Sequence, residues 1–477
     1  MFRKHNQILL LAIMVLCGTM TAIAQEPVKL SLQDALILAS KNNTNILNSD
    51  LDLKIAQKKV WETISSGLPQ ISGKGSYSHI FKVPTLSFGG KTILSNTEVP
   101  WDPTTQSGTL SSLTLSNGEN IYLNSEEGTP IELGLKNNTT FDLTLSQLIF
   151  SGSYIVGLQA TKVYYGLTKQ TAEKTRLDVI ETVTNTYTMI QLAEESRKIL
   201  SQNLENIDKT LYEISEMNKQ GFLEKTDVDQ LELTGNTVRN AMNQSDSNLE
   251  MAYRLLKIQL GMEDSQKIVL TDALEQGESL TKSSLQLITE TFDINQSVDY
   301  QLIQTSEKAA KLDLDLAKSS FLPTIAGFYN HTEKLKAPAF DFAPKDLIGV
   351  NLSLPIFSSG QRSSVVSQKR MALEKAKNTK QLVSSSLTMQ ASQYQSDVKL
   401  KLERFQNQKK SKELSDEIYQ RTLEKYKQGI ASSMDLMTSQ NQYLTNLTNY
   451  YQSIYDLQGS KSKLEKLFNI SQDSENK

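Results

Sequence analysis

Past its first 24 residues the chain keeps two histidines, His79 and His331, and no cysteine; His5 and Cys17 precede that point. Two isolated imidazoles without a thiol supply neither a nucleophile–base pair nor a metal-ligand cluster. No catalytic, cofactor-binding or metal residue is assigned, no cofactor is implied, and no enzyme is expected. The residues whose spacing can do something lie at two glycine turns, Gln220-Gly221-Phe222-Leu223 and Gln428-Gly429-Ile430-Ala431. Glycine can stop one helix, and the apolar residue after it offers a partner something to bury. An ordinary helical hairpin would use glycine in the same way. Six residues beyond Gly429 stands Asp435, with Asp227 at the matching place 208 residues earlier. A carboxylate in a first helical turn is stabilised by the helix dipole, which is the plainest role for both.

These turns belong to a duplication. Ser65-Ser66-Gly67-Leu68-Pro69-Gln70-Ile71 returns as Ser319-Ser320-Phe321-Leu322-Pro323-Thr324-Ile325. Ile149-Phe150-Ser151-Gly152 returns as Ile356-Phe357-Ser358-Ser359-Gly360, and Lys219-Gln220-Gly221 as Lys427-Gln428-Gly429. The last two offsets, 207 and 208, differ by one residue, so the stretch from Phe150 to Asn218 has kept its length in both copies. A rigid rod requires fixed length; a loop does not. The first copy carries 47 extra residues between Ile71 and Phe150, an enlarged loop in an internal repeat.

Proline maps the elements that position the turns. None lies between Pro130 and Pro323 or after Pro355, leaving two blocks free to be long helices. Leu200, Leu204, Ile207, Leu211 and Ile214 form a seam of alternating three- and four-residue steps. Leu231, Gly235, Val238, Met242, Ser245, Leu249, Ala252 and Leu256 continue it, as do Tyr443, Leu447, Tyr450, Ile454, Leu457, Lys461, Leu464 and Phe468. At about 1.5 Å per residue, a helix from Ser151 to Lys219 would be on the order of 100 Å long and needs equally long partners.

Between the helical blocks the period changes to two. Phe141, Leu143 and Leu145 alternate with Asp142, Thr144 and Ser146; Ile348, Val350, Leu352 and Leu354 alternate with Gly349, Asn351 and Ser353. Ile71–Tyr77 and Ile325–Tyr329 supply the opposing strands. One apolar and one polar face suit a membrane barrel, with Phe81, Phe150, Phe328, Tyr329 and Phe357 as candidates for aromatic girdles. A soluble sheet with one buried face predicts the same alternation. The stretch Lys82–Asn138, rich in Ser, Thr, Asn, Gly and Pro, reads as a long extracellular loop; Trp101 and Tyr122 in it receive no role.

The N-terminus favours the membrane reading. Arg3 and Lys4, an apolar run from Ile8 to Leu16, and Ala22-Ile23-Ala24 make a secretory signal peptide. Met14-Val15-Leu16 is a poor context for acylation of Cys17, because the residues before an acylated Cys are small. The chain has 50 basic and 53 acidic residues, and loss of Arg3 and Lys4 leaves a net charge of −5. Such a chain is a poor nucleic-acid binder. No later apolar run approaches the roughly 20 residues of a membrane helix.

With these residues placed, the mature chain resembles the TolC-like outer-membrane factors, the exit ducts of tripartite efflux pumps and type I secretion systems. The likeness rests on Leu30-Ser31-Leu32-Gln33-Asp34-Ala35-Leu36 with Asn42 and Asn43, on Ala317-Lys318-Ser319-Ser320-Phe321-Leu322-Pro323, and on Leu354-Pro355-Ile356-Phe357. Its fourth element is Tyr426-Lys427-Gln428-Gly429 with Met434-Asp435-Leu436. It implies a mainly α protein with a membrane β-barrel, its long helical hairpins forming a periplasmic α-helical barrel. Four strands per chain cannot close alone. The resemblance selects a homotrimer with one twelve-stranded barrel in outer-membrane lipid. It further implies that both glycine turns dock a periplasmic membrane-fusion adaptor serving an inner-membrane pump. Asp435 would repeat around the threefold axis as an anionic ring at the periplasmic aperture, with Thr438 where a second acid can stand.

The expected divisions are a signal peptide (1–24), an N-terminal helix and equatorial region (25–69), and a first β-hairpin (70–150) with its loop at 82–138. A first helical hairpin (151–262, tip near 220–226), an equatorial linker (263–296) and a second-repeat helix (297–322) follow. A second β-hairpin (323–357), a second helical hairpin (358–468, tip near 428–434) and a polar tail (469–477) complete the chain. A secreted coiled-coil rod or adhesin would explain the heptads but neither the duplicated hairpins nor the turns.

Overall fold

The computed structural model describes residues 27–86, 92–95, 111–114, 120–125, 131–132, 134–274, 278–337, 341 and 343–470. The expected signal peptide, Cys17 and Trp101 lie outside them, and Tyr122 is described by its backbone alone.

The proline-free blocks are helices whose lengths repeat. In order come α1 (Leu32–Asn42), α2 (Thr44–Ser65), α3 (Gly152–Lys219), α4 (Lys225–Leu260), α5 (Glu278–Thr289), α6 (Val298–Ser319), α7 (Gln361–Lys427) and α8 (Ser433–Phe468). The repeated pairs are α2 and α6 at 22 residues each, α3 and α7 at 68 and 67, and α4 and α8 at 36 each. Among the described residues no helix is long and apolar enough to cross a membrane.

The described chain falls into two compact units. The first holds the chain up to Val60, Ala160–Leu314 and Ser367 onward. In it strand β1 (Val28–Leu30) pairs in parallel with β9 (Ile268–Leu270), strands too short for any period to announce. Ser31 then caps α1 in a reciprocal box with Asp34, satisfying amides that the first turn leaves open. Tyr187 is buried and donates its hydroxyl to the Leu30 carbonyl at 3.0 Å, and that burial pushes its pKa up to about 12. Three apolar clusters follow the helices of this unit. One centres on Tyr187 and Leu256, a second on Ile454 and Phe405, and a third surrounds the helical turns with Ile207, Leu231, Tyr419 and Leu436.

The seam differs from the expected one in its polar members. Along the 200–214 stretch of α3 the buried positions are Asn203, Ile207, Thr210 and Ile214, whereas Leu200, Leu204 and Leu211 are half-buried at its edge. Thr210 meets burial by donating to the Asn206 carbonyl at 2.9 Å. Higher on α3, Asp178 and Glu181 hold Lys466 of α8 at 2.5 and 2.8 Å.

The second unit, Trp61–Gln159 and Asp315–Val366, contains the four-stranded antiparallel sheet. Its strands β2 (Gln70–His79), β8 (Asn137–Ser151), β10 (Thr324–Lys334) and β11 (Asp346–Ser353) stand in the order β11-β10-β8-β2. Each repeat supplies one hairpin, and β8 joins β10 between them. The stretch read as a loop carries strands of its own. Strand β3 (Thr85–Leu86) pairs with β7 (Ile131–Glu132), and β4 (Thr92–Ser95), β6 (Asn120–Ser125) and β5 (Ser111–Thr114) form a three-stranded sheet. Segments such as Asn120–Ser125 alternate weakly, and the surrounding Ser, Gly and Pro concealed them.

Candidate functional site

The sheet sorts its residues by chemistry. Residues directly opposite one another share a face, so Ile71, Leu145, Tyr329 and Ile348 stand in one row across all four strands. Phe141, Leu143, Val350 and Leu352 lie on the same face. Their side chains are exposed in the single chain, Ile348 by 82%. The opposite face is polar and internally bonded. Thr144 donates to Asn330 at 2.7 Å, Thr332 to Asp142 at 2.6 Å, and the hydroxyls of Ser76 and Thr140 lie 2.7 Å apart. A sheet apolar on one side and hydroxyl- and amide-lined on the other suits lipid outside and water within.

One girdle candidate changes sides. Phe328 and Tyr329 are adjacent in β10 and face opposite ways, and Phe328 lies on the polar face directly opposite Gly349. A Cβ at Gly349 would come within 2.7 Å of the Phe328 ring, so the ring covers the glycine rather than meeting lipid. A bulge at Ile149 shifts the register between Ile325 and Ala326 and brings Phe150 opposite Ile325, on the apolar face. Phe81 and Phe357 are almost wholly exposed beyond the strands. Near one end of the apolar face, Tyr329 and His331 both reach Asp346, at 2.6 and 2.7 Å, and Tyr77 and His79 both reach Asn137, at 3.2 and 2.6 Å. Both histidines are thereby occupied by neighbouring strands, and among the described residues no group of three or more His, Cys, Asp and Glu could hold a metal ion.

The helical turns are built alike. Gly221 and Gly429 have φ of 81° and 74°, a left-handed conformation that suits glycine. In the first turn the Phe222 amide donates to the Met217 carbonyl and the Gly221 amide to that of Asn218, at 3.0 and 2.9 Å. In the second the Ile430 amide donates to Lys425 and the Gly429 amide to Tyr426, both at 2.9 Å. This paired closure satisfies the last carbonyls of α3 and α7. It leaves Phe222 and Ile430 exposed by 72% and 70%, whereas Leu223 and Ala431 fold back onto the third cluster. Gln220 and Gln428 are exposed beside them.

The next helices start differently. Ser432 caps α8 through a reciprocal box with Asp435: the Asp435 amide donates to the serine hydroxyl, and the Ser432 amide and hydroxyl donate back to the carboxylate. These bonds, the hydroxyl first, hold the Asp435 carboxyl below the usual carboxylate range. Asp435 and Thr438, three residues on, are both exposed. Glu224 precedes α4 without a side-chain cap bond. Asp227, in the first turn of α4, instead accepts from the Ser433 hydroxyl, with Gln230 Oε1 3.1 Å from that same hydroxyl. The two repeats thus meet at their turns through residues that sequence reasoning had not paired. Beside them Tyr426 is buried, its hydroxyl has no partner among the described residues, and burial and then Asp227 raise its pKa.

Long duplicated helices with helical hairpin turns, and a four-stranded sheet of opposed faces, define the fold of an outer-membrane channel. Solved structures share it. The chain aligns with the CmeC outer membrane channel of Campylobacter jejuni over 93% of its own length and 88% of that chain, at TM-score 0.67 and 18% identity. VceC of Vibrio cholerae aligns over 92% and 95%, at TM-score 0.68 and 12% identity. The MtrE outer membrane channel of Neisseria gonorrhoeae, solved in an open state, aligns over 92% and 88%, at TM-score 0.63 and 13% identity. No curated protein matches in sequence. The family model described as outer membrane efflux protein matches residues 295–469, essentially the second repeat. Residues 295–469 thus carry an outer-membrane efflux protein domain, and the chain as a whole has the fold of solved outer-membrane channels.

Proposed function

We propose that this chain is the passive exit duct of a tripartite efflux pump or type I secretion system, assembled as a homotrimer. The observation that carries the reading is the sheet, apolar on one face and polar on the other, with β2 and β11 at its two open edges. Lipid does not tolerate unpaired strand edges, and four strands are too few to close. Three copies pairing β11 with β2 would give twelve strands, with the polar rows turned to a wet lumen. A secreted coiled-coil rod has no use for an exposed apolar row on a sheet, so that reading is not favoured.

The turns supply the partner side. Exposed Phe222 and Ile430, each held out by a rigid glycine closure, fit docking of a periplasmic adaptor that couples the duct to an inner-membrane pump. Asp435 fits two roles at once, since a carboxylate engaged by its own cap stays ionised and can still face a ring of its symmetry mates.

The test is a photo-crosslinking residue at Ile430 in living cells, with detergent extraction and planar-bilayer recording of the purified assembly. Capture of a periplasmic adaptor and a steady conductance are expected. A protein recovered in buffer without detergent, or one that conducts but captures no adaptor, would overturn the membrane reading or the docking reading respectively.

A further inference from the structure

Asn203 on α3 and Gln440 on α8 are buried against each other, 5% and 1% exposed. Gln440 Nε2 donates to Asn203 Oδ1 at 2.9 Å, joining the first helical hairpin to the second. The other donor of that pair, Asn203 Nδ2, has no partner among the described residues. The surroundings are apolar, with Ile207 and Leu436 in the same cluster and Leu200, Leu204 and Tyr443 packed on it.

Strength alone does not call for amides here. A pair of leucines would fill similar space and leave no donor stranded. Amides differ from leucines in being directional. An apolar seam that repeats every three or four residues can slip by one turn and bury nearly the same area, but an amide pair cannot slip without unpairing. Lys466 also ties α8 to α3, yet a long flexible ammonium between Asp178 and Glu181 can follow a slip.

We propose that Asn203 and Gln440 form a register pin. The pair selects which turn of α8 faces which turn of α3, and so sets the level at which Asp227 meets Ser433. Half-satisfied bonding fits this role, because the pair contributes uniqueness rather than stability.

The test uses spin labels on the full-length assembly, diluted with unlabelled chain, at Gln202→Cys and Asn441→Cys. Both sites are exposed, and the one native cysteine, Cys17, lies in the expected leader. The native pair should give one distance population. Asn203→Leu with Gln440→Leu should add a second population shifted by up to about one helical turn, ~5 Å, without lowering the melting temperature. The exchanged pair, Asn203→Gln with Gln440→Asn, should restore the single population. If the double leucine variant keeps only the native distance, or the exchanged pair also splits, the pin is overturned. Should the double variant not assemble, Gln440→Leu alone is read in the same way.

Discussion

Asp227, in the first turn of α4, accepts the hydroxyl hydrogen of Ser433, the first residue of α8, and so ties the two repeats together beside their turns. Each partner stands next to a helix start, where a carboxylate is favoured by the dipole and a serine hydroxyl is free to rotate. Removing the hydroxyl leaves a carboxylate that has lost its only hydrogen bond to the other repeat, among the described residues. Ser433→Ala is therefore expected to loosen the turns, by about 1.5 kcal/mol for a hydrogen bond to a charged group. Amide exchange in the first turns of α4 and α8 should rise roughly tenfold, while exchange near Tyr187 stays unchanged.

The cap at Asp435 carries its own pH dependence. Bonding to Ser432 lowers the folded-state pKa below that of the unfolded chain, so the stabilisation is fully present above the unfolded value. It is lost as pH falls through the ordinary carboxylate range, near 4, and below it. The start of α8 should fray first on acidification, seen as faster exchange at its leading amides. In Asp435→Asn that acid-dependent step should vanish. In bilayers the same substitution is expected to reduce cation selectivity; if selectivity is unchanged, Asp435 acts as a cap alone.

Much of this was legible because duplication leaves landmarks. Phe150 and Phe357, Gly221 and Gly429 bracket helices that differ by one residue, so the length of the rods is written in the sequence. The seam was harder. A polar residue such as Asn203 reads as surface unless its partner Gln440, more than two hundred residues away, is known. Phe328 and Tyr329 are adjacent girdle candidates that cannot share one face of a strand, and only the pairing of Phe328 with Gly349 says which of them lies on the polar side. The β1–β9 pair has three residues a strand, shorter than any period can register, and the β8–β10 contact that merges two hairpins into one sheet is a fact of tertiary structure alone.

The glycine turns should not tolerate a side chain. At φ of 74°, alanine at Gly429 would sit in the left-handed region, at a cost of roughly 1–2 kcal/mol. No neighbouring atom blocks a Cβ there, so the effect is purely conformational. Gly429→Ala should speed proteolytic nicking between Lys427 and Ser433, whereas Gly429→Asn, which enters this region more readily, should be close to wild type. Equal nicking in both variants would mean that the turn is not held in the conformation described.

The two faces of β11 give the most direct test of lipid contact. Val350 and Asn351 are neighbours, similarly placed along the strand, but Val350 joins the apolar row with Gly327 and Asn351 the polar row with Ala326. If the apolar row meets hydrocarbon, Val350→Arg places a cation there at a cost of about 2–4 kcal/mol near the bilayer midplane. Asn351→Arg would face water and cost little. Outer-membrane assembly, followed by heat-modifiable migration of the extracted protein, should fall for Val350→Arg and persist for Asn351→Arg. A soluble sheet whose exposed row met only water would accept arginine at Val350 as readily as at Asn351, so equal assembly of the two variants would remove the membrane from that face.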